Sequence, residues 1–172
     1  MRMEGGSIKA IMENTAKKLY DSINSIQDLE RLIAEGETET QYLECKSPQA
    51  PILNKDLKQQ FAKAISAFSN TGGGVILWGI STTRHDIHKR DVLTQIEEIG
   101  AVKAFKRQLD LASLTSIEPQ KLDCQSKVIS RNQTDTKGIV ATFVPPTDGD
   151  PIRTNTEDRE FYIRVGGESS KM

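Results

Sequence analysis

The 172-residue chain has little cysteine, no long hydrophobic run and no excess charge of either sign. Its two cysteines, Cys45 and Cys124, lie far apart and neither belongs to a CxxC pair. That excludes a disulfide framework and a cysteine-built zinc site. Both are expected to be reduced thiols of a cytoplasmic protein. The longest apolar run, Val75 to Trp78 with Ile80 beyond, is too short to span a bilayer. Met1 to Ser7 is not followed by an apolar segment, so no signal peptide is expected. Lys and Arg number 23 against 24 Asp and Glu, a net charge of -1. The field of the whole molecule therefore does not draw nucleic acid, and any such binding must come from a local basic patch. Internal repeats and low-complexity segments are also missing.

What is present suits one globular domain with a core: 36% hydrophobic and 27% charged residues. Ile8, Ile11, Met12, Ala16, Leu19 and Ile23 recur at helical spacing and predict a helix over 7–23. Ser25 and Asp28 form a capping-box signal for a second helix, which Gly36 ends. Residues 41–46 read as a strand, and Pro48 and Pro51 mark a loop. Asn54 caps a third helix whose buried stripe is Leu57, Phe61, Ala64, Ile65 and Phe68. A strand over 75–81, a polar loop over 82–90 and a fourth helix over about 92–111, interrupted near Gly100, follow. Three closing strands are predicted over 124–130, 139–144 and 160–165. The order implies an α+β fold, a single domain with a mixed β-sheet packed with helices. Residues 1–24 are read as an N-terminal helical extension and 25–172 as the domain proper.

Between the third helix and its strand stands Asn70-Thr-Gly-Gly-Gly-Val75. A phosphate-binding P-loop would run strand, glycines, lysine, helix. Here the order is helix, glycines, strand, and no lysine follows until Lys89. Nucleoside triphosphate binding is therefore rejected. Asn70, Gly72, Gly73 and Gly74 are read as a structural turn, with the run of glycines implying that the backbone passes close to something.

Three blocks fit one pattern: Gly36-Glu-Thr-Glu-Thr-Gln-Tyr-Leu-Glu-Cys-Lys46, Ala67-Phe-Ser-Asn-Thr-Gly-Gly-Gly-Val-Ile-Leu-Trp-Gly-Ile80 and Phe161-Tyr-Ile-Arg-Val-Gly-Gly-Glu-Ser-Ser170. Together they resemble the Schlafen AlbA-type domain, over about residues 29–170. The resemblance implies nucleic-acid binding, DNA over RNA, in a bacterial regulatory or defence protein. It also implies that the three strands carrying these blocks are neighbours in one sheet. In Schlafen nucleases the first block supplies two metal-binding glutamates, which match Glu39 and Glu44. Their third carboxylate has no match, because the strand continues Gly79-Ile80-Ser81-Thr82-Thr83. Asp86 is the nearest acid in the following loop.

No cofactor is expected, and a divalent metal enters only under a ribonuclease alternative acting on structured RNA. Were 39–44 one extended strand, the two glutamates would face opposite ways, roughly 16 Å apart. Sharing a metal would need a bend near Thr40. The alternating pattern of the last strand assigns Phe161, Ile163 and Val165 to the core face and turns Tyr162 and Arg164 outward. Lys46, Arg153, Arg159 and Arg164, with Lys55 and Lys58, would then offer phosphate contacts, and Tyr162 a stacking surface. Arg164 pairing with Glu39 or Glu44 would instead fix the sheet with no ligand involved. His85 and His88 read as part of a solvated polar segment, and 84–90 could also be a basic arm touching phosphate. A scaffold or dimerisation domain, with the first helix as the homodimer contact, is the remaining alternative.

Overall fold

A single strand buried on both faces organises the molecule. The computed structural model describes residues 4–172. Strand β2, Gly74–Trp78, is the pivot. Its Ile76 and Trp78 point into one apolar cluster, while Val75 and Leu77 point into a second on the opposite face, as a two-residue period requires. The two clusters call for helices on both sides of the sheet.

Helix α1 (Glu4–Ser22) and helix α2 (Ile26–Ala34) cover one face. Ala16, Tyr20, Ile23, Ile26 and Leu29 pack there against Leu43, Val75, Leu77 and Phe143. Helix α3 (Lys55–Ser69) and helix α4 (Val102–Thr115) cover the other. Phe61, Ile65, Phe68, Phe105 and Leu109 meet Ile76, Trp78, Val140 and Val144 there. Each such side chain, fully buried, contributes about 1.5–3 kcal/mol. Toward its start α1 leaves Ile8 and Ile11 exposed.

Local signals set the helix ends. Ser25 and Asp28 form a reciprocal capping box at α2, and the Asn54 side chain accepts the Leu57 N–H at the start of α3.

The central sheet has the order β1-β2-β7-β6, where β1 is Leu43–Lys46, β6 is Gln125–Ile129 and β7 is Ile139–Val144. β1 runs parallel to β2, joined through α3, and the other pairs are antiparallel. The domain is α+β with a mixed sheet, as expected. Among the described residues no helix is long and apolar enough to cross a membrane.

The structure departs from the sequence reading in three places. The strand after the glycines breaks at Gly79, whose φ of +103° turns the chain out of the sheet. It re-forms as β3 (Ile80–His85), paired with β4 (Arg90–Ile96) in a separate hairpin. Of the expected loop only 86–89 remain, as the turn of the hairpin; 82–85 and 90–96 are strand, and α4 starts only at Val102. At the start of the expected helix, Val92 and Ile96 instead pair across the hairpin with Thr83 and Ile80, where β-branched residues pack well.

The terminal strand β9 (Tyr162–Val165) is not in the central sheet either. It pairs with β10 (Glu168–Lys171), a strand not anticipated. So the first two blocks share a sheet and the third does not. A short pair, β5 (Ile117–Glu118) with β8 (Arg153–Thr154), completes the strands.

The facing of β9 is also the reverse of the expected one. Tyr162 and Arg164 are 5% and 3% exposed, against 38% for Phe161 and 58% for Val165. The reason lies on α3 and the turn that follows it, where hydroxyls take the place of a neighbouring strand. Tyr162 N–H donates to Ser66 Oγ (3.0 Å) and Arg164 N–H to Thr71 Oγ1 (2.9 Å).

Candidate nucleic-acid interface

The site is built where the exposed edge of β1 meets β9 and the β3–β4 hairpin. Thr40 and Leu43 exchange a backbone bridge, which bends the chain just after Glu39. Glu39 thereby folds back along β1, and its Oε1 accepts the Cys45 N–H at 2.7 Å. Glu44 comes from β1 itself. Arg164 reaches across from β9, with Nη1 3.1 Å from Glu44 Oε1 and Nη2 donating to the Thr40 carbonyl at 2.8 Å. Its guanidinium carbon lies 4.5 Å from the centre of the Phe68 ring. Glu39 and Arg164 thus occupy donors and acceptors along β1, which blocks another strand from adding to this edge.

Charge is closely balanced at this point. Lys46 Nζ stands 3.3 Å from Glu44 Oε2, the oxygen that Arg164 leaves free. That contact lacks hydrogen-bond geometry, so Oε2 is a buried acceptor without a donor. Burial pushes the Glu39 carboxyl up to about 7; the Cys45 N–H opposes the shift, while the charges of Glu44 and Asp91 add to it. Asp91, at the start of β4, also gives its backbone carbonyl to the Glu39 N–H at 2.8 Å.

These carboxylates do not fit a divalent metal. One oxygen of Glu44 faces Arg164 and the other Lys46, and Glu39 binds a backbone N–H. Among the described residues no three His, Cys, Asp or Glu side chains are grouped to hold a metal ion. Asp86, on the far turn of the hairpin, is exposed and does not line the clefts beside Glu39 and Glu44. His85 and His88 stack on each other with ring centres 5.0 Å apart.

The remaining sequence-predicted residues do not assemble into one basic surface. Arg164 is buried and paired. Arg153 is held by Glu118, with Nη2 at 2.7 Å, and Lys55 by Glu157 at 2.5 Å. The Tyr162 hydroxyl donates to Asp158 at 2.5 Å, and burial together with this bond raises its pKa to about 12. Arg159 is exposed on the turn before β9. Asn70 ends α3 and ties down the residue before β8 and the first residue of β9: its Nδ2 donates to the carbonyls of Ile152 (2.7 Å) and Tyr162 (3.0 Å), and its Oδ1 accepts the Ile152 N–H (2.8 Å). Gly72 and Gly73 take φ of +131° and +91°. A Cβ on Gly73 would lie 2.9 Å from the Val144 carbonyl, and one on Gly74 would enter the Phe68 ring.

Exposed cations gather instead on the hairpin. An open cleft of about 450 Å³ runs between the hairpin and the β9–β10 turn, with Arg84, Lys89 and Arg90 on one wall and Glu39, Asp91 and Glu168 among its acids. A second cleft of about 330 Å³ adjoins it, lined by Glu44, Lys46, Gln60 and Lys63. The two share Glu39, Asp91, Gly167 and Glu168. Sequence reading noted 84–90 as basic but missed that it is a β-hairpin turn, and it missed Asp91. The signal was the Thr82-Thr83 and Asp91-Val92 flanks, which suit paired strands.

Comparison with known proteins agrees with this architecture. No curated protein matches the chain. Among solved structures, the DIP2311 protein of Corynebacterium diphtheriae is similar with 17% identity and a TM-score of 0.48, over 86% of this chain but only 26% of that one. The N-terminal domain of an ATP-dependent DNA helicase RecG-related protein from Nitrosomonas europaea matches with 17% identity and a TM-score of 0.52, over 78% of this chain and 83% of that one. The second likeness shows a shared fold. The family model described as Schlafen, AlbA_2 matches residues 39–172, from the folded-back Glu39 to the end of the chain, and the protein belongs to that family.

Proposed function

We propose that this domain binds nucleic acid, DNA in preference to RNA, through backbone phosphates, as part of a bacterial regulatory or defence protein. Family membership supports the class of ligand. The observation that carries the reading is the concentration of exposed Arg84, Lys89 and Arg90 along one wall of an open cleft. In a chain of net charge -1, a local cluster of this kind is what phosphate contact needs. Arg84 has only distant partners, Asp91 and Glu168, each at 3.8 Å. It can turn to a phosphate at little cost.

Metal-dependent ribonuclease activity is the less favoured reading, because Glu44 is already neutralised by Arg164 and Lys46. Fluorescence anisotropy with labelled DNA and RNA oligonucleotides, titrated with salt, tests the proposal. Affinity should fall linearly with salt on a double-logarithmic scale, and DNA should bind more tightly than RNA. The absence of binding at low salt would refute it.

A further inference from the structure

The run 83–90 is exposed at every position, and it ends in a tight turn rather than a loose loop. His85 and Arg90 are paired across the ribbon, the Lys89 N–H donates to the His85 carbonyl at 2.8 Å, and Lys89 adopts φ +50°. The stacked rings of His85 and His88 brace one side of the turn. At its tip stands Ile87, 82% exposed and the most exposed of the large hydrophobic residues described. Arg84, Lys89 and Arg90 flank it, with Asp86 as the sole acid between 84 and 90.

A lone exposed isoleucine is unremarkable on most surfaces. At the end of a narrow, braced, cationic ribbon it has the form of a wedge. We propose that the β3–β4 hairpin enters a groove of double-stranded DNA, with Lys89 and Arg90 on the flanking phosphates and Ile87 pressed against a base step. This rests on the nucleic-acid reading above and adds to it the duplex and the element that enters it. A two-stranded ribbon fits a groove of B-form DNA, and apolar side chains at such tips partly unstack base steps. The deep, narrow major groove of A-form RNA does not admit side chains in this way.

The test uses the full chain and a 20-base-pair DNA duplex with 2-aminopurine at a central TA step, followed by anisotropy and by 2-aminopurine fluorescence. The wild type should bind this duplex more tightly than the matching RNA duplex and raise the fluorescence. K89A/R90A should weaken binding at least tenfold and lower the salt slope by about two, one per lost phosphate contact. I87A should keep most of the affinity and lose the fluorescence rise. K103A/R107A, on α4, should change neither. Wild-type binding with an unchanged salt slope in K89A/R90A would overturn the hairpin assignment while leaving nucleic-acid binding intact. An unchanged fluorescence rise in I87A, or none in the wild type, would overturn the wedge. No binding by the wild type at low salt would defeat both readings together.

Discussion

Arg164 and Glu44 are joined at 3.1 Å in a nearly dry pocket, the arginine side chain fully buried and the glutamate 15% exposed. They come from β9 and β1, strands that share no sheet, so the pair fastens the terminal ribbon to the edge of the central one. A buried arginine without its counter-ion is costly. Glu44→Ala should therefore destabilise the fold by about 3–5 kcal/mol. Glu44→Gln should cost less, because the amide oxygen still accepts from Nη1. Urea unfolding measures both, and a loss under about 1 kcal/mol for the alanine variant would show that the pair does not hold the ribbon.

Glu39 sets a pH dependence of opposite sense to most carboxylates. Its folded pKa is raised to about 7, so the folded state holds this proton more tightly than the unfolded chain does. Its contribution is fully present below the ordinary pKa near 4.5 and is lost as pH rises through 7. Glu39→Gln keeps an oxygen to accept the Cys45 N–H and carries no charge. Relative to wild type it should gain stability on the order of 3 kcal/mol between pH 5 and pH 8. Urea unfolding across that range checks this. A difference independent of pH would mean that Glu39 is ionised throughout.

How much was legible in the sequence follows from which interactions are local. The capping box at Ser25 and the cap at Asn54 depend on residues three positions away, and both are where the pattern put them. The limits of β7, with hydrophobic residues at nearly every position, matched the prediction over 139–144. The facing of β9 was misread because its outer edge is satisfied by Ser66 and Thr71, roughly ninety residues earlier. An alternating pattern shows two faces and does not say which is inside when one carries arginine. Arg164 is tolerated inside only because Glu44, Phe68 and two backbone carbonyls meet it there. For the same reason the cations expected around β9 are largely committed to partners, and the exposed ones sit on a hairpin whose polar residues read as a loop.

Asn70 is a three-bond clamp rather than a simple helix end. Asn70→Ala removes two donors and an acceptor and leaves the Ile152 N–H without its side-chain partner. The expected loss is about 2–4 kcal/mol. Asn70→Asp is close to isosteric but sets a carboxylate oxygen against the carbonyls of Ile152 and Tyr162. It should be at least as damaging as alanine. Denaturant unfolding ranks the two, and an aspartate variant as stable as wild type would contradict the assigned amide orientation.

Gly74 explains why the chain spends glycine at the entrance to β2. Its backbone lies against the face of Phe68, which also carries Arg164 on its ring. An added methyl has no room unless the ring moves, and a shifted ring disturbs the arginine. Gly74→Ala should thus cost about 1–3 kcal/mol or more, as overpacked cores do. Phe68→Leu in the same chain should recover part of that loss, because the smaller side chain vacates the space. Gly100 is the control: a Cβ there meets nothing within 4 Å, and Gly100→Ala should be neutral or mildly stabilising through the unfolded chain. Thermal unfolding of the three variants and the double mutant decides the matter. Strict additivity of Gly74→Ala and Phe68→Leu would show that the two residues do not compete for one volume.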